Sequence, residues 1–480
     1  MSENLKQTAM SGMMWGFISQ FSMRFVTFVV GIILARLLSP SDYGLIAMTA
    51  IFTEISSIIV DSGFSTAIIR KKERTELDYS TVFVMNVLIS IVVCLLLFAC
   101  SGSIAKFYKE PLLKDIIRLN GLFVFLGSFI AVQSTRMAAE MKFKTKNIIS
   151  IVSTVIGGVI SVGMAFAGFG VWALVTPHFF RIISAAALYW FYQRWIPRVQ
   201  FSWISCKELF SFGSKMMASS VINVIYNNIY PIVIGKRFSS ADLGLYSKAS
   251  GYAQLPSGTI TGVVGSVALP ILSNIQDDDE RLRESYRKLI RLTSFLVFPV
   301  MFGMAALARP LVIVLITEKW LGAVLFLQIL CFDQMLYPIH GLNLSLLQVK
   351  GRSDLFLRLE IIKKALGIII LLITIPYGIV AMCIGSVIVS YLSLLINTHY
   401  TSKFIHVGFY RQMRDLVPSY LISLIVALIV WGVISLLPLY SIQLLVGIIL
   451  LFAIYFMGAK LFMRKDMIFL HDIIHERFKK

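Results

Sequence analysis

The stretch "ILARLLSPSDYGL" occupies Ile33 to Leu45, and two hundred residues further on the chain reads "VIGKRFSSADLGL", Val233 to Leu245. Ser39, Asp42, Gly44 and Leu45 recur as Ser239, Asp242, Gly244 and Leu245, while Ala35-Arg36 returns as Gly235-Lys236. Ser39-Pro40-Ser41-Asp42 has the form of a helix start, with Ser at the N-cap, Pro in the first turn and an acid at the third position. Ser239 and Asp242 keep the same S-x-x-D frame. Arg36 and Lys236 stand where a preceding helix ends, so each cation meets the negative end of a helix dipole. Each copy therefore reads as the tip of a helical hairpin.

Composition says what the hairpins cross. Hydrophobic residues make up 58% of the 480 and charged residues 14%, with a mean hydropathy of +0.82. A soluble chain carries about 25% charged residues. The apolar runs repeatedly reach the roughly 20 residues that traverse a bilayer. The reading is an all-α polytopic membrane protein with fourteen spans, at 10–35, 42–69, 80–104, 115–135, 147–168, 170–193 and 211–237, then 243–273, 291–316, 322–348, 358–376, 378–400, 416–437 and 440–462. The first span is too long for a signal-peptide core and reads as an uncleaved helix. With both termini in the cytoplasm, most of the 44 Lys and Arg fall on the inner face. That distribution is the positive-inside signature of topology, so the net charge of +19 calls for no nucleic-acid partner.

Six spans separate the two hairpins, an even number, so the halves point the same way and form a parallel repeat about an axis along the membrane normal. The expected organisation is an N-lobe at 1–205, a C-lobe at 206–400, and two further helices with a cytoplasmic amphipathic tail at 401–480. The loops are short, the longest outer one running from about Ser101 to Lys114, and none holds a soluble domain. Gln276 to Arg291 reads as an interfacial helix, with Asp277 capping, Glu280 at the third position, and Leu282, Tyr286 and Leu289 on one face. The tail places Met467, Leu470, Ile474 and Phe478 similarly; a solvated charged linker is the alternative for both. Cys94, Cys100, Cys206, Cys331 and Cys383 contain no C-x-x-C pair and read as small hydrophobes, with neither disulfides nor zinc behind them.

Charges inside a bilayer cost about 2.5–3.5 kcal/mol each on insertion scales, so they mark pathways or ion pairs. Arg24, Arg181 and Lys248 lie within spans, the first two roughly 15–20 Å in from a helix end at 1.5 Å per residue. Such cations suit an anionic substrate, a phosphate or pyrophosphate, for which Arg offers two-pronged geometry. Glu54, Asp61 and Asp333 are the buried acids and suit coupling to H+ or Na+. Glu54 and Asp61, seven apart, share a helix face. The structural alternatives are an Arg24–Glu54 pair between helices and a snorkelling Lys248. Asn223 and Asn227 share a face with Tyr226 and Tyr230, and His178 stands three residues before Arg181. His340 and Asn343 follow Pro338, a candidate kink. Cavity contact and helix-to-helix hydrogen bonding both remain open for these amides, and core packing is favoured for the histidines. Glu360 with Lys363 and Lys364 reads as a surface pair.

No G-x-x-x-x-G-K-[ST], H-E-x-x-H or G-x-S-x-G occurs, so no ATP hydrolysis or hydrolase chemistry is expected on this chain. No cofactor and no metal site is expected; energy would come from an ion gradient or from the substrate's own.

Together, "ILARLLSPSDYGL", "AIIRKKERTELDYSTVFVMN" (from Ala67), "GFGVWALV" (Gly168 to Val175), "IGKRFSSADLGLYSKA", "LPILSNIQDDDERLRESY" and "EKWLGAVLFLQIL" resemble the polysaccharide transporter family across roughly residues 1–400. That family holds lipid-linked oligosaccharide flippases and belongs to the superfamily that includes multidrug and toxin extruders. One departure is Thr317 before Glu318-Lys319-Trp320, where members often carry Gly, which bears on the turn there. The resemblance implies two six-helix lobes around a V-shaped cavity, two appended helices and residence in the bacterial inner membrane. It implies a substrate of short sugar chain on undecaprenyl pyrophosphate, with polysaccharide assembly machinery as a partner and a monomeric state expected. It carries over no site residues. The expected function is a flippase serving capsule, exopolysaccharide or O-antigen synthesis. Alternatives are an ion-coupled drug extruder of the same fold and, more remotely, a membrane-embedded polymerase or acyltransferase.

Overall fold

Each hairpin tip starts a helix as its sequence requires. Ser39 caps the helix Pro40–Asp61 (α2), its hydroxyl accepting from Asp42 N at 3.3 Å while Asp42 Oδ2 accepts from Ser39 N at 2.9 Å. Ser239 and Asp242 repeat the pair, at 3.1 and 3.2 Å. The computed structural model describes residues 3–197, 200–464 and 467, with side chains at Trp15 and from residue 20 onward. All regular structure among the described residues is helical. Packing divides the chain into two units, Met1–Gly244 and Leu245–Lys480.

The first unit contains α1 (Glu3–Leu37), α2, α3 (Phe64–Arg70), α4 (Glu76–Tyr108), α5 (Leu113–Ala139), α6 (Phe143–Phe166), α7 (Trp172–Gln193), α8 (Trp203–Asn227) and α9 (Ile229–Arg237). It ends inside α10 (Ser240–Asn274). The expected span 42–69 is broken at Ser62-Gly63, both at positive φ, and 211–237 is bent by 44° at Asn228. The packing boundary falls inside α10, because α8 and α9 pack against α2, α3 and α4. Lys71 bridges Asp78 and Glu208 at 3.0 and 3.1 Å, and Lys236 donates to Phe107 O at 2.6 Å. Gly63 and Gly213 lie so close that a Cβ on either would stand about 2.5 Å from the other segment's backbone oxygen.

The two tips touch each other within this unit. A Cβ on Gly44 would lie 1.7 Å from Ser240 O, and one on Gly244 would lie 1.8 Å from Pro40 O. Ser41 and Ser240 join their hydroxyls at 2.9 Å. The contact is reciprocal, as a local two-fold axis requires.

The second unit continues with α11 (Asp279–Ala306), α12 (Ala308–Ile316), α13 (Ala323–Gln334), α14 (Tyr337–Val349), α15 (Ser353–Thr374), α16 (Ile379–Ile405), α17 (Phe409–Ile434) and α18 (Tyr440–Phe462). Gln276 to Arg291 is not a separate interfacial helix. It forms the start of α11, capped by Asp278 rather than Asp277, with Leu282, Tyr286 and Ile290 fully buried and Leu289 only partly so. That face meets protein: Tyr286 donates to Asn343 Oδ1 at 2.7 Å, Gln412 donates to both, and Arg287 grips Asp415 with two bonds of 2.7 Å. Of the tail residues, Met467 alone is described, packed beside the α17–α18 core; Leu470, Ile474 and Phe478 lie outside the described residues.

Among the described residues twelve helices are long and apolar enough to cross a membrane, α13 and α14 counting as one, or thirteen with the bent α8–α9 pair, against fourteen expected. The remaining expected span, 358–376, coincides with α15, whose first half carries Arg358, Glu360, Lys363 and Lys364. The 101–114 loop is shorter than expected, since α4 runs to Tyr108 and α5 starts at Leu113. All five cysteines are free; Cys206, Cys331 and Cys383 are buried, but Cys100 is exposed.

Candidate functional site

In the first unit, Arg181 lies midway along α7, one turn beyond His178. Its guanidinium donates to His178 Nδ1 at 3.1 Å, so that imidazole carries its proton on Nε2. Among the described residues Arg181 meets no carboxylate. Gly157 and Gly158 on α6 lower the wall beside it, and Val26, Thr27 and Val30 of α1 complete a groove of about 190 Å3. Arg24 occupies the exposed side of α1, one turn before Phe28.

Glu54 is held elsewhere, accepting from Asn228 Nδ2 at 2.9 Å. Asn228 is buried at the α8–α9 bend and was not a candidate; the doublet Asn227-Asn228 in an apolar span was the available signal. Asn223 and Asn227 are exposed on the last turns of α8. Asp61 ends α2 and accepts from Ser65 Oγ, which in turn accepts from Thr135 at 2.9 Å. Glu54 and Asp61 thus share a helix yet serve different neighbours, and Asp61 has the environment of a break-capping residue.

In the second unit, Lys248 does not simply snorkel. Its ammonium lies 5.6 Å from the Tyr252 ring centroid and 5.7 Å from that of the fully buried Trp320, within cation–π range. Asp333 accepts from Gln334 Nε2 at 2.9 Å. Beside it runs a hydrogen-bonded chain. Asn397 Nδ2 meets His340 Nδ1 at 3.2 Å, His340 Nε2 meets Ser390 Oγ at 3.3 Å, and Ser390 donates to Asp333 O at 3.1 Å. Donor and acceptor roles close only if His340 is neutral with its proton on Nε2. Ser390 and Asn397 were missed, although Ser390, Ser393, Asn397 and Thr401 form a buried polar stripe at helical spacing on α16. Asn343 belongs to the buried Tyr286–Gln412 network.

Among the site candidates, His178 and Arg181 meet directly. No group of three or more His, Cys, Asp or Glu among the described residues could hold a metal.

Among the described residues, a set of twelve or thirteen helices long and apolar enough to span a bilayer defines a polytopic membrane protein. The chain aligns with the solved inward-closed lipid II flippase MurJ at a TM-score of 0.76, covering 94% of this chain and 99% of that one at 15% identity. It aligns with a multidrug resistance MATE family transporter of the MOP superfamily in an inward-facing conformation at a TM-score of 0.62, covering 81% and 96% at 14% identity. The polysaccharide biosynthesis protein family matches residues 33–325, and the chain belongs to that family. The lipopolysaccharide biosynthesis protein WzxC of Escherichia coli is 26% identical over 412 residues, 82% of this chain and 80% of that protein.

Proposed function

We propose that this protein is a flippase that carries oligosaccharide repeat units, linked to undecaprenyl pyrophosphate, across the bacterial inner membrane for capsule, exopolysaccharide or O-antigen synthesis. It acts as a transporter and not as an enzyme. Two lobes, 1–205 and 206–400, alternate access to a cationic cavity, with the region from 401 appended. The geometric observation behind the cargo's charge is Arg181, a guanidinium at mid-helix that meets a neutral imidazole and, among the described residues, no carboxylate. A charge left unneutralised at that depth is costly unless a ligand uses it. Arg24 and Lys248 add positive charge, and His178, Asn223 and Asn227 offer hydrogen bonds to sugar or phosphate. Glu54, Asp61 and Asp333 are the carboxylates through which H+ or Na+ would couple, Glu54 and Asp333 more readily than the tied Asp61.

Family membership and the WzxC relation favour polysaccharide cargo over the drug cargo of the second fold relative. The double variant Arg24→Ala/Arg181→Ala is expected to abolish polymer export while remaining in the membrane at normal abundance. Normal polymer output from that strain would overturn the site. Raised drug susceptibility of a deletion strain with unchanged polymer would instead select the extruder.

A further inference from the structure

A second cavity, of about 930 Å3, opens at the end of the second unit where α16 turns into α17 and α15 begins. Its size lies near the top of the roughly 300–1,000 Å3 found for small-molecule sites. Its chemistry is graded along the helices. Arg358 on α15, His399 on α16 and Arg411 on α17 stand towards the helix ends, and one turn deeper Ile362 and Leu395 form an apolar wall. No carboxylate lines it among the described residues. Arg358 has no ion-pair or hydrogen-bond partner among the described residues. Arg411 is fixed by donation to His406 O at 2.6 Å, and the turn beneath is fixed by Thr401, which donates to Val407 O at 2.7 Å. Tyr410 is 89% exposed at the rim, the position of an interfacial aromatic.

A basic rim, anchored at Arg411, over an apolar wall that deepens towards the bilayer matches one kind of molecule. We propose that this groove binds an anionic phospholipid of the inner leaflet, its phosphate between Arg358 and Arg411 and an acyl chain along Ile362 and Leu395. The leaflet follows from the side on which Lys350, Arg352, Lys403 and Arg414 also lie. The site is distinct from the cargo residues proposed above and does not depend on them.

Native mass spectrometry of the full chain in mild detergent tests this, with phosphatidylglycerol and phosphatidylcholine of identical chains as probes. Phosphatidylglycerol is expected to be retained preferentially. Arg358→Gln/Arg411→Gln should weaken it by about fivefold for each Arg removed. Millimolar inorganic phosphate should not displace it. Equal retention of the two lipids, or unchanged retention by the double variant, would overturn the proposal. Displacement by phosphate alone would also overturn it, marking a soluble-anion site. If the double variant melts early, Ile362→Trp decides, since it blocks the wall and keeps both guanidiniums: unchanged phosphatidylglycerol retention would count against the lipid. Polymer export is not the readout, so failure here leaves the flippase reading untouched.

Discussion

Gly44 and Gly244 were read only as repeated letters beside a helix cap. The cap was legible because Ser39 and Asp42 lie three residues apart and complete their bonds locally. The crossing was not, because it joins backbones two hundred residues apart and its signal is an absent side chain. Gly44→Ala places a carbon 1.7 Å from Ser240 O, so whole helices must part. The expected loss is about 3 kcal/mol or more, beyond ordinary overpacking, read as early thermal unfolding in detergent. Gly102→Ala, with nothing within 4 Å, is the control and should change stability by less than about 1 kcal/mol. Thr317, the one noted departure from the family pattern, adopts φ 79° with its hydroxyl buried and without a partner among the described residues. Glycine tolerates that backbone freely. Thr317→Gly is therefore expected to stabilise by about 1 kcal/mol, the relief of strain exceeding the added chain entropy; a lowered melting temperature would contradict it.

At the scale of elements, the positive-inside count treated Arg136 and Arg287 as interchangeable surface charge. Each is a clasp. Arg136 binds Glu76 and Glu140 at 2.8 Å, tying the start of α4 to the end of α5. Burial alone would raise the Glu140 carboxyl, but bonds from Lys142, Arg136 and Gln193 hold it below its usual range. Arg287 ties α11 to α17 through Asp415, whose side chain is 4% exposed. Arg287→Ala leaves that carboxylate with Arg291 at 3.6 Å and should cost about 2 kcal/mol, measured as a lowered unfolding midpoint; an unchanged midpoint would show that Arg291 compensates. Residues 276–291 were misread for a related reason. Leu282 and Tyr286 make the amphipathic pattern of an interfacial helix, and periodicity does not say whether the apolar face meets lipid or protein. In α15, where 358–376 reads as a span, the charged first half shortens the apolar length.

For the whole molecule, class and helix order followed from hydropathy, because a bilayer forces backbone bonds to close within each helix. The groupings of buried polar residues did not follow, since Glu54 with Asn228, or His340 with Ser390 and Asn397, depend on which helices are neighbours. The proposed orientation makes a direct prediction. In a background with the five cysteines replaced by alanine, Ser239→Cys should react with a membrane-impermeant maleimide added outside spheroplasts. Gly351→Cys should react only after lysis. The reverse pattern would invert the topology, and with it the leaflet assigned to the lipid groove.

The reciprocal meeting of the two hairpin tips has a historical consequence. Gly44 against Ser240 and Gly244 against Pro40 is the pattern two copies of one chain make across a symmetry axis. A half-length forerunner with a single tip would have made the same contact with another molecule of itself. Duplication and fusion would then have turned an association between subunits into a fold. Once the halves were joined, each tip became free to diverge provided the glycine facing its neighbour stayed, and the shared serine, aspartate, glycine and leucine are what such a history would leave.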